Sequence, residues 1–152
     1  MKTKIVNNYI YEGLGFPVEL KTVEMISIDG DWSPKIDVKK VADEVIEKLA
    51  TQDARLTGNQ VKFIRSYFSM SLREFGEKVA HESHMAVSKW EKKGSAATNM
   101  NANTEHELRL YIVERKVGSS KASKPKFFEI YLATKRFFNQ NSDASTIIHL
   151  AA

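Results

Sequence analysis

Between Val38 and Leu49 the apolar residues Val38, Val41, Ala42, Val45, Ile46 and Leu49 recur at i, i+3, i+4, i+7, i+8 and i+11, one stripe of an α-helix. Asp43, Glu44, Glu47 and Lys48 fill the other side, and Asp37 supplies an oxygen that can cap the first turn. Upstream, from Ile5 to Ile28, the texture changes to Val, Ile, Tyr, Phe and Thr punctuated by Gly13, Gly15 and Pro17, which predicts short strands. Val18 and Leu20 share one face of such a strand, whereas Val23 and Met25 fall on the opposite phase. A bulge or a new strand near Thr22 is therefore expected. Asp29-Gly30 predicts a turn, with Trp32 and Pro34 on the way into the helix.

After a break at 51–55 come two capping boxes, Thr57-Gly58-Asn59-Gln60 and Ser71-Leu72-Arg73-Glu74. Each sets a hydroxyl three residues before a Gln or Glu, the pairing that satisfies amides a helix start leaves without partners. The first helix carries Val61, Ile64 and Phe68 on its stripe, with Phe63 and Tyr67 beside it. The second is short, with Leu72, Phe75 and Val79 inward and Gly76 between them, where a residue without Cβ lets another backbone approach. Ala80-His81-Glu82 breaks the period. Ser83 then caps a third helix, His84 to Lys92, with Val87 and Trp90 inward and Gly94 placed to end it. Two short helices joined by a turn of three or four residues have the spacing of a helix-turn-helix.

Residues 94–103 are polar. A third box, Thr104-Glu105-His106-Glu107, predicts a helix with Leu108, Tyr111 and Ile112 on one face. From Arg115 to Lys126 there are five cations and no acid, the texture of a flexible basic linker. Phe127, Tyr131, Thr134 and Phe138 then recur at helical spacing, widened by Phe128, Ile130 and Phe137. So aromatic a stripe asks for burial, in its own domain or against a second copy. A strand is expected near 146–150.

Composition sharpens the picture. The chain has 152 residues, with 42% apolar and 28% charged side chains, enough for an ordered domain with a small appendage. Without cysteine there is no disulfide, thiol catalysis or cysteine-built zinc site. Four scattered histidines, among them His81 and His84 across a turn with no third ligand, argue against a metal. No stretch is apolar enough for a membrane span, and the first residues lack a signal-peptide core, so a cytoplasmic protein is expected. Residues 1–50 hold 7 Lys/Arg against 9 Asp/Glu, whereas 51–95 hold 8 against 5 and 96–152 also 8 against 5. The middle and end are the basic parts, as a polyanion partner would require, although an ordinary solvated surface reaches the same balance.

The segment Ser83-His84-Met85-Ala86-Val87-Ser88-Lys89-Trp90-Glu91 resembles the recognition helix of the Cro/cI-like (xenobiotic response element) helix-turn-helix family, which ends in a Trp-Glu pair. Ser71 to Gly76 is similar to that family's scaffold helix, and the likeness covers about Leu56 to Lys93. The turn is one residue longer than the family pattern. The flanks, including Gly13-Leu14-Gly15-Phe16-Pro17-Val18 and Arg55 to Val61, resemble MqsA-like antitoxins without their zinc-binding cysteines. The resemblance implies an N-terminal part that meets a toxin and a DNA-binding part that acts as a homodimer on an operator.

With the third helix in a major groove, His84, Met85, Ser88 and Lys89 face base edges: Lys89 toward guanine O6 or N7, His84 toward a purine N7, and Met85 against a thymine methyl. Ser71, Arg73, Ser83, Lys92 and Lys93 sit at helix termini, positioned for phosphates. Each has a plainer reading. Lys92-Lys93 could be a solvated helix end favoured by the dipole alone, and Met85 could be core.

The expectation is thus an α+β protein with three parts: a strand-and-helix module at 1–50, a helix-turn-helix domain at 51–117, and a basic linker, aromatic helix and short strand at 118–152. Its expected function is sequence-specific binding of double-stranded DNA as an autoregulatory, antitoxin-like repressor. It needs no cofactor, touches no membrane and has a homodimer and a toxin as protein partners. The alternative is a protein-interaction module in which the helix-turn-helix is only a scaffold, with strand edges and the aromatics Tyr9, Tyr11, Phe16 and Trp32 suited to β-augmentation. No catalytic constellation stands out: there is no glycine-rich phosphate loop, since Gly13 and Gly15 lack the third glycine, and no paired carboxylates at a telling spacing.

Overall fold

The computed structural model describes residues 2–116 and 147–150 and shows an α+β chain with a mixed four-stranded sheet. Two compact units emerge, Met1–Val45 with Ile147–Ala152, and Ile46–Thr146.

In the first unit β1 (Lys2–Tyr11) pairs antiparallel with β2 (Val18–Ile28), which pairs in turn with β3 (Asp31–Lys35). Asp29 and Gly30 take φ of 52° and 88°, the pair of left-handed residues that a two-residue hairpin turn needs. The bulge expected near Thr22 does not form. The register runs unbroken from Lys2↔Ser27 to Tyr11↔Val18, and only the pair Asn8 with Lys21 is skipped. Asn8, at φ 54°, turns β1 locally without adding a residue, so the burial phase shifts from Val18 and Leu20 to Val23 while the ladder count is kept. The second edge of β2 is shared: β3 takes its far end, and β4 (Ile148–Leu150) runs parallel to Val18–Leu20. Ile148 and Leu150 are buried, so this C-terminal strand belongs to the N-terminal sheet.

Helix α1 (Val38–Thr51) starts where Asp37 Oδ1 accepts the Lys40 amide at 3.1 Å. Val41, Val45, Ile46 and Leu49 form its buried stripe. Val38, assigned to the stripe by periodicity, is 50% exposed because it is the first helical residue.

The second unit contains α2 (Gly58–Tyr67), α3 (Leu72–Phe75), α4 (His84–Glu91) and α5 (Ala102–Lys116). Leu56, Val61, Ile64, Phe75, Val79, Val87, Leu108, Ile112 and Val113 make its core. The short helix after Ser71 does not stay α-helical: α3 continues as a π-helical turn, Gly76–Ala80. There the Gly76 carbonyl accepts the amides of His81 and, at 2.9 Å, Glu82, and His81 takes φ 53°.

The box expected at Thr104 is not the helix start. Asn101 caps instead, its Oδ1 accepting the Asn103 amide at 2.8 Å, and α5 begins at Ala102. Glu105 is drawn inward. Its Oε2 accepts Arg55 Nε and Arg109 Nη2, each at 3.1 Å, and its Oε1 accepts the Leu56 amide at 3.1 Å. Arg109, equally buried, donates to the carbonyls of Gln52 at 2.6 Å and Ala54 at 2.7 Å. Arg115 and Lys116, read from the sequence as the start of a flexible basic linker, are the last residues of α5; the rest of that linker and the aromatic stripe from Phe127 to Phe138 lie outside the described residues.

Candidate nucleic-acid interface

Three side-chain oxygens set the helix starts of the second unit. Thr57 forms a full capping box with Gln60, Ser71 Oγ accepts the Glu74 amide at 3.1 Å, and Ser83 Oγ accepts the Ala86 amide at 3.1 Å. A hydroxyl that accepts through a lone pair still has its own hydrogen to donate, so Ser71 and Ser83 keep a donor for an anion.

Helix α4 is clamped at its carboxyl end. Arg65, on α2, holds Glu91 with both ends of its fork, Nε to Oε2 at 2.7 Å and Nη2 to Oε1 at 2.9 Å, and donates Nη1 to the Met70 carbonyl at 3.1 Å. Hydrogen bonding to Glu91 raises the Arg65 guanidinium above its ordinary pKa, against the opposing effect of burial. Beside this pair, a Cβ on Gly58 would stand 2.5 Å from the Trp90 carbonyl oxygen and 2.8 Å from that of Glu91. Only glycine lets α2 start this close to the end of α4. The loop after α4 seals the contact: Gly94, at φ 62°, accepts the Asn59 amide at 2.9 Å, and Ala96 accepts the Gly58 amide at 3.2 Å. At the other end, a Cβ on Gly76 would meet the Glu82 carbonyl at 2.4 Å. The close approach predicted for Gly76 is thus to the turn before α4 rather than to the helix itself.

With Val87 fully buried and Trp90 half-buried, the outer face of α4 is left to His84, Met85, Ser88, Lys89 and Lys92. Met85 is 71% exposed, which removes its reading as core. Ser71 and Arg73 lie on the amino end of α3, which packs against α4, and Ser83 caps α4 itself. Lys92 caps the carboxyl end and Lys93 follows it, both exposed. All nine residues singled out from the sequence are exposed or half-exposed. Arg73, Lys89, Lys92 and Lys93 make no ion pair among the described residues, whereas Lys78 stands 3.8 Å from Glu74.

The Arg65–Glu91 clamp escapes the sequence reading, although Glu91 belongs to the Trp-Glu pair. A charged residue near the apolar stripe of α2 was the available signal. Among the described residues no group of three or more histidines and carboxylates could hold a metal ion, and no helix is long and apolar enough to cross a membrane. No protein family, characterised protein or solved structure matches the chain.

Proposed function

We propose that the second unit binds double-stranded DNA by inserting α4 into the major groove, and that the protein is an autoregulatory repressor of the antitoxin type. One observation carries this reading. An eight-residue helix, clamped from behind by Arg65–Glu91 and Gly58, offers to solvent a face of His84, Met85, Ser88 and Lys89 with unneutralised cations at its carboxyl end. These side chains supply donors for purine N7 and O6 and an apolar surface for a thymine methyl, the groups a major groove displays. Ser71, Arg73, Ser83, Lys92 and Lys93 surround that face and would hold phosphates. The resemblance of Ser83 to Glu91 to Cro/cI-like recognition helices points the same way.

A homodimer fits the reading, because one short helix covers few base pairs and paired half-sites multiply specificity. The first unit is assigned to a toxin-like protein partner in the cytoplasm. Ile5 and Ile28 there are 65% and 61% exposed, and β1 is an edge strand. The same features favour the second reading, an interaction module with α4 as mere scaffold. Titrating the protein against its own promoter fragment and a scrambled duplex at two salt concentrations separates the two. Preference for the promoter is expected, and equal or absent binding refutes the repressor.

A further inference from the structure

Gly58, Lys62 and Arg65 follow at i, i+4 and i+7 and therefore share one side of α2. Contacts on either side of Lys62 fix what that side faces. Gly58 abuts the carbonyls of Trp90 and Glu91, and Arg65 grips the Glu91 carboxylate. Lys62 is thus placed about one turn from each, beside the carboxyl end of α4, and it is exposed.

Its obvious partner is taken. Both oxygens of Glu91 are occupied by Arg65, and Lys62 makes no ion pair among the described residues. This corner therefore carries three unneutralised ammonium groups, Lys62, Lys92 and Lys93, around one neutralised pair. The amino terminus of α2 adds nothing to it, because the Gly58, Asn59 and Gln60 amides are spent on Ala96, Gly94 and Thr57. An anion held here must be held by side chains.

We propose that Lys62 is a further phosphate-contacting residue, which with Lys92 and Lys93 forms a cationic shelf for the DNA backbone at the carboxyl end of α4. The inference rests on the duplex-DNA reading above and adds to it a contact from outside the helix-turn-helix proper. Each phosphate neutralised contributes about 0.9 to the slope of log affinity against log salt. A lysine that is merely solvated contributes nothing to that slope.

The test uses the full-length chain and three variants, Lys62→Ala, Lys62→Arg and Lys78→Ala, titrated against the promoter fragment and a scrambled duplex over a series of salt concentrations. Lys78, also exposed, stands against Glu74 and serves as the control for net charge. Lys62→Ala is expected to lower the slope by about 1 and to weaken both duplexes by the same factor, leaving the preference between them unchanged. Lys62→Arg restores the slope, and Lys78→Ala keeps it. If Lys62→Ala retains the wild-type slope, or loses no more than Lys78→Ala, Lys62 touches no phosphate. Wild-type protein that binds neither duplex overturns the DNA reading itself and Lys62 with it.

Discussion

Replacing Glu105 with alanine should cost the second unit a large share of its stability. Glu105 and Arg109 are both 0% exposed, and three donors converge on the one carboxylate: Arg55 Nε, Arg109 Nη2 and the Leu56 amide, each at 3.1 Å. Burial lowers the Arg109 pKa from its ordinary value, and Glu105 opposes that shift. In Glu105→Ala the guanidinium stays in the interior without its buried carboxylate, while the carbonyls of Gln52 and Ala54 still accept from it. Breaking a buried pair from one side costs about 3–5 kcal/mol. The stranded Leu56 amide would add about 1–3 kcal/mol, partly offset by water entering the vacated space. A net loss of ~4 kcal/mol corresponds to a fall in Tm of roughly 15–30 °C for a unit of this size. Calorimetry and urea titration of wild type, Glu105→Ala, Arg109→Met and the double variant would measure it, with a coupling of about 1–3 kcal/mol expected between the two sites. If Glu105→Ala loses less than about 1 kcal/mol, the triad is not what ties α5 to the segment 52–56, and the reasoning fails.

Arg65→Leu should cost about 2–4 kcal/mol by stranding Glu91, and it should weaken operator binding beyond its effect on charge because α4 loses its clamp; urea midpoints and DNA titrations report the two effects separately. Gly58→Ala should destabilise by about 1–3 kcal/mol, since its Cβ meets backbone oxygen that cannot swing away. Gly94→Ala, which meets open space at φ 62°, should cost only about 1 kcal/mol in the same thermal melts. Lys89→Ala should lose roughly 1–3 kcal/mol on the operator and less on random duplex, whereas Lys93→Ala should weaken both alike; equal effects of Lys89→Ala on the two would mean that α4 does not read bases.

What the sequence made legible was local chemistry. Asp37, Thr57, Ser71 and Ser83 each declare a helix start through a hydrogen bond three residues long, and Asp29-Gly30 declares a turn through φ alone. Such signals need no knowledge of the rest of the chain. The exposed face of α4 was legible for the same reason, as the complement of Val87 and Trp90. What stayed hidden depends on partners far away. Arg55 and Glu105 are fifty residues apart. The parallel pairing of Ile148–Leu150 with Val18–Leu20 has no local signature at all. Thr104 misled because its box is written for an isolated helix, whereas in the folded unit the neighbouring Glu105 serves as the buried anion and Asn101 supplies the cap. The stripe Glu105, Leu108, Arg109, Ile112 did carry the clue: two opposite charges at i, i+4 inside an apolar face.

The π-helical turn at Gly76–Ala80 changes what a residue count means here. Between the caps Ser71 and Ser83 the chain has one residue more than the helix-turn-helix pattern it resembles, and the surplus would naturally be assigned to the connecting turn. It is instead stored in the helix, as one wide ring of hydrogen bonds, and the connection itself remains the short stretch His81 to Ser83. Phe75, Val79 and Ala80 all stay buried across the ring, so the core does not register the addition. Glu77 and Lys78, the solvent-facing members of the ring, are where a residue can be gained or lost between related chains while α4 keeps its seat. Alignments that place such a gap in the turn would shift only the residues between the ring and the turn, among them the buried Val79 and Ala80, and would leave every position of α4 where it was.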